Sequence, residues 1–283
     1  MRRLSICAVL LALLATSAAI AQGRRGGGPS GPPADDAAYA DVDPETVRAF
    51  VPRLGEYRAM TARGFVPTGL VPLYPQDAVC PTVNSPFAAT TRGDGSPRQR
   101  AFFLGYHGGM DIPVPEGTPV LAIAAGKVVQ KSPGESIGGI GLVLQHAPDD
   151  TGFSVWIYTE YKHLAEMPRL DIGARVKMGE AIAISGRTGT EGGYYGPGGH
   201  PHLHLSAWFA PTDAYDARRT LFPKDGHWMD PLALFRGPPA DSPSVVALPA
   251  EAKRVTIPYV VATGVAFPTD TKIVWPLACA RRS

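Results

Sequence analysis

The sequence predicts an all-β domain of antiparallel strands, with a helical segment before it and an irregular tail after it. Short runs rich in β-branched residues alternate with glycine- and proline-containing turns through the middle of the chain. Between these runs there is no amphipathic pattern of roughly twelve or more residues that would indicate a helix. Many short strands with closely spaced turn signals favour an antiparallel all-β domain. The predicted strands cover residues 119–124, 127–130, 141–145, 155–161, 181–185 and 203–209.

The N-terminus has the composition of an export signal. A basic start, Met1-Arg2-Arg3, precedes an apolar run that ends in Ala19-Ile20-Ala21. A short apolar core followed by small residues at a cleavage position is typical of a secretory signal peptide. We therefore expect residues 1–21 to be a signal peptide and the mature protein to be periplasmic or secreted, without a membrane anchor. Residues 22–42, which begin with a Gly/Arg/Pro-rich stretch, are predicted to be a disordered linker.

The charge balance excludes one class of partner. The chain has 27 basic and 25 acidic residues, and loss of Arg2 and Arg3 with the signal leaves 25 of each. No long basic run is present. Nucleic acids and anionic membrane surfaces are therefore not expected as partners.

The segment 43–79 is predicted to be helical at its start and extended at its end. Asp43-Pro44-Glu45 is typical of a helix N-terminus, with an acidic cap and proline in the first turn. The helix is expected to run towards Arg63, with a break or kink at Pro52. Whether residues 43–64 of this segment form an inhibitory flap or a docking arm stays open at this point.

The main domain is predicted to span residues 80–236, and a proline-rich tail with one strand at 254–261 fills residues 237–283. After signal cleavage Cys80 and Cys279 remain. An even pair of cysteines in an exported protein predicts a disulfide, here between the tail and the start of the domain. Two separate buried thiols are the alternative.

Histidines and an aspartate in two motifs predict a metal site. His107 lies four residues before Asp111, and His202 and His204 are two residues apart in a predicted strand. Residues two apart on a strand point to the same face. We predict a zinc ion held by His107, Asp111 and His204, since three protein ligands leave a fourth position for water.

Two further histidines are candidates for proton transfer, because imidazole titrates near neutral pH. His202 is the first candidate and His163, at the end of a predicted strand, is the second. His200 shares the strand parity and could exchange with His202, although Gly199 and Pro201 favour a loop there. A lone histidine is usually structural, and His146 and His227 are expected to lie in surface turns.

The motifs together resemble the lysostaphin-type zinc metallopeptidases, the LytM-domain family. The resemblance covers roughly residues 80–209, with the motifs in the family's order. The motifs that carry it are His107-Gly108-Gly109-Met110-Asp111, Tyr161-Lys162-His163-Leu164, Ser185-Gly186-Arg187-Thr188-Gly189 and the Gly199 to His204 segment.

This resemblance implies a fold, a site and an activity. The fold would be a compact antiparallel β-sheet sandwich of the LytM type with the site in a groove. His107, Asp111 and His204 would bind zinc, and His202 and His163 would be catalytic. The implied activity is endopeptidase cleavage within peptidoglycan stem peptides or cross-links.

The alternative is an inactive LytM-like protein that binds the wall or activates another hydrolase. Such a protein would be expected to lack one or more of the metal ligands, whereas the predicted ligands are all present in this sequence.

Two differences from the family pattern bear on the site. The segment 190–199 is longer than the usual short turn, and is either a flap over the groove or a loop without consequence. Leu205-Ser206 replaces the aromatic-acidic pair that commonly follows the last histidine. We expect the second difference to change the surroundings of the site but none of its ligands.

Overall fold

A computed structural model of the chain describes residues 38–134, 138–190, 196 and 198–282. The expected signal peptide, residues 1–21, and residues 22–37 of the expected linker lie outside the described residues.

The helices are α1 Pro44–Phe50, α2 Tyr57–Ala62, α3 Pro148–Thr151, α4 Pro231–Arg236 and α5 Ser242–Val246. The strands are β1 Val71–Leu73, β2 Ala78–Val79, β3 Met110–Pro113, β4 Pro119–Leu121, β5 Gly126–Pro133, β6 Ile140–His146, β7 Trp156–Lys162, β8 Arg175–Val176, β9 Ala181–Ile184, β10 His202–Ala210, β11 Tyr215–Ala217, β12 Leu221–Pro223, β13 His227–Met229, β14 Arg254–Thr256, β15 Tyr259–Val260, β16 Ala266–Phe267 and β17 Ala280–Arg281.

A seven-stranded sheet forms the centre of the molecule, in the order β13-β10-β7-β6-β5-β8, with β3 also paired to β10. Its pairings are antiparallel. All six predicted strands are present, as β4, β5, β6, β7, β9 and β10. The prediction of an antiparallel all-β fold is therefore confirmed.

A second layer, the antiparallel pair β4 and β9, covers one face of this sheet. Val120 and Ile182 from that layer are buried in one cluster with Leu142, Tyr161 and Leu205 from the main sheet. Side chains alternate between the faces of a strand, so Tyr161 and Leu205 face this core while their neighbours face the other way. The result is a two-layered sandwich. The other face of the seven-stranded sheet, its second face, is not covered by β4 and β9 and is available to form a site.

The segment before the domain folds back onto the far end of that second face. Asp43 caps α1 by accepting a hydrogen bond from the Thr46 backbone N–H at 2.9 Å. α1 ends at Phe50 and a 3-10 turn begins at Pro52, as expected for a proline that cannot continue a helix. Phe50 is buried and stacks on Trp228, with ring centroids 5.4 Å apart. The segment is thus packed against the domain through apolar contacts.

The tail packs on the opposite side of the molecule. Its strand β14 pairs in parallel with β1, a departure from the antiparallel pattern. Trp275 is fully buried in the main core, and its indole N–H donates to the Pro81 carbonyl at 3.0 Å. Cys80 and Cys279 form the predicted disulfide, which spans 199 residues of sequence. A native cross-link of this kind typically contributes about 2–5 kcal/mol to stability, in part by restricting the unfolded chain.

Among the described residues, every helix is too short or too polar to span a bilayer.

Candidate metal centre

Strand pairing brings the two predicted metal motifs together. Asp111 on β3 lies directly opposite His204 on β10. Asp111 Oδ1 is 2.9 Å from His204 Nδ1 and 3.0 Å from His107 Nε2. The two imidazole nitrogens are 3.1 Å apart. These three atoms could together hold one metal ion, since all of them lie within 4.8 Å of one another.

Gly109 permits this close approach. A Cβ atom at this position would lie 2.3 Å from the Leu205 carbonyl oxygen and 2.8 Å from His204 Nε2. Both distances are too short for a side chain at residue 109. Close packing of this segment against β10 therefore requires glycine at this position between His107 and Asp111.

Each ligand is oriented by a partner on its far side. His107 Nδ1 donates to the Pro86 carbonyl at 3.0 Å, so its Nε2 carries the lone pair that faces the other ligands. His204 Nε2 lies 3.1 Å from the Ser206 hydroxyl, which leaves Nδ1 to face the centre. Asp111 Oδ2 accepts a hydrogen bond from Arg98 Nη2 at 2.9 Å. The ligand atoms therefore converge because their opposite sides are fixed.

The ionisation of these groups suits metal binding, which requires neutral imidazoles and a charged carboxylate. Burial lowers the pKa of His107 and lowers that of His204 to about 3. Burial by itself raises the pKa of Asp111, but the facing imidazoles of His107 and His202 outweigh it and hold the pKa well below its usual range.

His202 and His163 lie beside the three candidate ligands, with their ring centroids 4.5 Å apart. His202 Nδ1 donates to the His200 carbonyl at 2.8 Å, and its Nε2 is 3.4 Å from Asp111 Oδ1. His163 Nδ1 donates to the Thr188 carbonyl at 2.7 Å. In both rings Nε2 is thereby left as the atom available for chemistry.

The backbone at His163 departs from regular strand geometry. Along a regular strand His163 would share the core face of Tyr161, two residues earlier. Its φ of 63° lies in the left-handed region, which is costly for a residue other than glycine, and breaks that alternation. His163 consequently lines the same cleft as His202 and His204.

The cleft above these residues has a volume of about 250 Å³ and opens to solvent. Its floor is the second face of the main sheet, with Glu160 and Lys162 from β7 beside Ser206 from β10. Lys162 Nζ and Glu160 Oε2 form an ion pair at 2.9 Å. Phe50, from the N-terminal segment, contributes to one end of the cleft.

The structure brings together all five residues singled out in the sequence: His107, Asp111, His163, His202 and His204. His200 stacks on His202 with ring centroids 5.6 Å apart, but it is not part of the three-ligand group. His146 is fully buried, so the expectation of a surface turn is wrong for this residue. In the segment 190–199, residues 191–195 and 197 lie outside the described residues, and the flap hypothesis stays a hypothesis.

Of the three outer contacts of the ligands, the Pro86 carbonyl and Arg98 were not predicted from the sequence, and Ser206 was expected only to change the surroundings of the site. The parity of β10 could have identified Ser206, because it is two residues after His204 and shares its face. No signal in the sequence indicated Pro86 or Arg98, since long-range folding brings their segment to the site.

The comparisons with known proteins agree with these motifs. Residues 105–216 match the model described as Peptidase family M23. An uncharacterized metalloprotease of Haemophilus influenzae is 36% identical over 124 residues, which cover 43% of this chain and 22% of that protein. An uncharacterized metalloprotease of Buchnera aphidicola subsp. Baizongia pistaciae is 32% identical over 102 residues, or 36% of this chain and 23% of that protein. The chain thus spans less than a quarter of the length of either relative.

Among solved structures, the catalytic domain of the antimicrobial peptidase lysostaphin from Staphylococcus simulans is 27% identical with a TM-score of 0.32. The match covers 47% of this chain and 80% of that one. The resemblance that the motifs predicted is confirmed: residues 105–216 match Peptidase family M23, and the two curated relatives are named metalloproteases.

Proposed function

We propose that this protein is an exported zinc endopeptidase that hydrolyses peptide bonds in the stem peptides or cross-links of peptidoglycan. The observation that carries the proposal is the convergence of His107 Nε2, Asp111 Oδ1 and His204 Nδ1, with two further imidazoles beside them in an open cleft. A structural metal site closes its coordination with a fourth protein ligand, whereas a catalytic site keeps that position open.

The donor set fits zinc. Two imidazole nitrogens and one carboxylate oxygen are donors that zinc prefers, and the ligand side chains are largely shielded from solvent. The far side of each ligand is already hydrogen-bonded, as is usual around bound metals. When bound, zinc would lower the pKa of a water molecule to about 7 and polarise the scissile carbonyl.

His202 and His163 supply the proton transfers in this proposal. The carbonyl of His200 fixes the His202 ring, and the carbonyl of Thr188 fixes the His163 ring, so each keeps Nε2 for the substrate side. One of these atoms accepts the proton of the attacking water, and a protonated imidazole returns it to the leaving amine. Once it has accepted that proton, the imidazole carries an Nε2–H group that can also stabilise the negative charge on the former carbonyl oxygen.

An export signal at residues 1–21 would deliver the enzyme to the compartment that contains peptidoglycan. The second candidate, an inactive LytM-like protein that binds the wall or activates another hydrolase, is disfavoured because all five polar residues are present and adjacent.

Mass spectrometry of the digestion products tests the proposal. The chain without residues 1–21, loaded with zinc, is incubated with purified peptidoglycan, and the His204→Ala variant serves as the blank. We expect soluble muropeptides that are absent from the blank, and their masses identify the bond that is cleaved. If a protein that binds one zinc ion per chain releases nothing, the proposed activity is wrong.

A further inference from the structure

The outer contacts of the metal centre come from two parts of the chain. Ser206, beside His204, belongs to the stretch that matches the peptidase family, residues 105–216. Pro86 and Arg98, beside His107 and Asp111, precede that stretch. A loop between residues 85 and 98, which is not part of the family match, therefore supports two of the three candidate ligands.

Arg98 is held in this loop at several points. Its Nη2 donates to Asp111 Oδ2 at 2.9 Å and to the Ser85 hydroxyl at 2.7 Å, and its Nε donates to the Thr91 carbonyl at 3.2 Å. The side chain is only 17% exposed. The loop is itself tied to β3, since the Asp111 N–H donates to the Ser85 carbonyl at 2.9 Å. The guanidinium is therefore fixed relative to the carboxylate that it contacts.

The contact selects one oxygen of Asp111. A carboxylate can bind a metal through one oxygen or through both. Arg98 occupies Oδ2 with a charge-assisted hydrogen bond, while Oδ1 faces His107 Nε2 and His204 Nδ1. Bidentate ligation would consume the coordination position that a hydrolase needs for water.

We infer that Arg98 is a positioning residue of the metal centre, which restricts Asp111 to ligation through Oδ1 and thereby keeps a position open. This inference rests on the proposed zinc site. The competing explanation is a buried ion pair that only stabilises the loop, in which case the metal would not sense its loss.

Metal affinity separates these two explanations. We would replace Arg98 with Met, which keeps much of the chain length without the charge, and with Lys, which keeps the charge without the planar fork. Arg92→Met is the matched control, because Arg92 lies in the same loop and lines the cleft but bonds to Ser96 and the Pro97 carbonyl instead of Asp111. Each variant is measured for zinc affinity by competition with a chromophoric chelator, for the visible spectrum of bound Co²⁺, and for thermal unfolding without metal.

We expect Arg98→Met to bind zinc about 10- to 100-fold more weakly, the range usual for loss of an outer partner of a metal ligand. Its Co²⁺ spectrum should lose intensity as a second carboxylate oxygen raises the coordination number. Arg98→Lys should recover part of the affinity, and Arg92→Met should match the unmodified protein.

Unchanged zinc affinity and an unchanged Co²⁺ spectrum in Arg98→Met would overturn the inference while leaving the zinc site intact. If the unmodified protein itself bound no zinc, the proposed function would fail together with the inference. Should Arg98→Met fail to fold, the same measurements on Arg98→Ala decide the matter, since full zinc affinity and an unchanged Co²⁺ spectrum in that variant would overturn the inference.

Discussion

The two ends of β10 use the same sheet face in opposite ways. His202 and His204 at its start and Trp208 near its end share one face, because they are separated by even numbers of residues. The histidines lie at the open part of the cleft, whereas Trp208, at the other end of the same cleft, is buried in an aromatic cluster with Phe50 and Trp228. The strand and its pairing with β7 continue unchanged between the two ends.

The difference lies in what covers each end. Over Trp208 the N-terminal segment supplies Phe50, and the Trp228 indole N–H donates to the Ala49 carbonyl at 2.9 Å. Over the histidines nothing comparable is packed among the described residues, and the polar groups are instead partnered with one another. One sheet face thus carries both the candidate site and part of the apolar core. The boundary between the two lies where the N-terminal segment begins to cover the sheet.

The largest expected effect is a separation between the two histidines at the open end. His204→Ala removes a candidate ligand and should abolish both zinc binding and peptidase activity. His202→Ala should lower kcat by about 10²- to 10⁴-fold, the usual contribution of an acid–base group, and should largely retain zinc. Zinc content by atomic emission and rates on the same peptidoglycan substrate measure both. Equal loss of zinc in the two variants would contradict the division into ligand and catalytic residue.

The covered end should respond in the opposite manner. Phe50→Ala removes a buried ring that contacts Trp208, Trp228 and Phe222, and we expect the free energy of unfolding to fall by about 3–5 kcal/mol. Denaturant titration of the metal-free protein measures this change. Zinc affinity below the unfolding transition should be unchanged, because Phe50 contacts no candidate ligand.

Tyr57→Ala is the matched control for this prediction. Tyr57 is an aromatic residue of the same N-terminal segment, but it is 55% exposed. We expect its replacement to change stability by less than about 0.5 kcal/mol. A large loss of zinc affinity in Phe50→Ala would show that the two ends of the sheet face are coupled.

The open end could be predicted from sequence more completely than the covered end. Motif spacing and strand parity predicted His107, Asp111 and His204 as ligands, because those constraints are local to residues 107–111 and to β10. The covering role of Phe50 could not be derived, since a helix with apolar residues does not reveal which surface it packs against. Arg98 was missed for the same reason, as its contact with Asp111 depends on how a loop folds.

His146, on the opposite face of the sheet, is buried without belonging to the candidate site. His146 Nδ1 donates to the Ala125 carbonyl at 2.7 Å, and its Nε2 is 2.8 Å from the Thr159 hydroxyl. Burial lowers its pKa to about 4, in spite of the bond to Ala125, which favours the charged form. The unfolded chain binds the same proton near pH 6.5.

The sign of the pH effect follows from these two values. Between pH 6.5 and pH 4 the unfolded state takes up the His146 proton and the folded state does not, so acidification favours unfolding. We expect this residue to remove about 3 kcal/mol of stability as the pH falls across that range. The His146→Gln variant, which cannot titrate, should be less stable at pH 7.5 but should lose less stability on acidification. Denaturant titrations of both proteins without metal, from pH 7.5 to 4.5, measure the difference in slope. Parallel pH profiles would mean that the folded and unfolded states take up the His146 proton over the same pH range, and that burial on the core face does not keep this residue neutral.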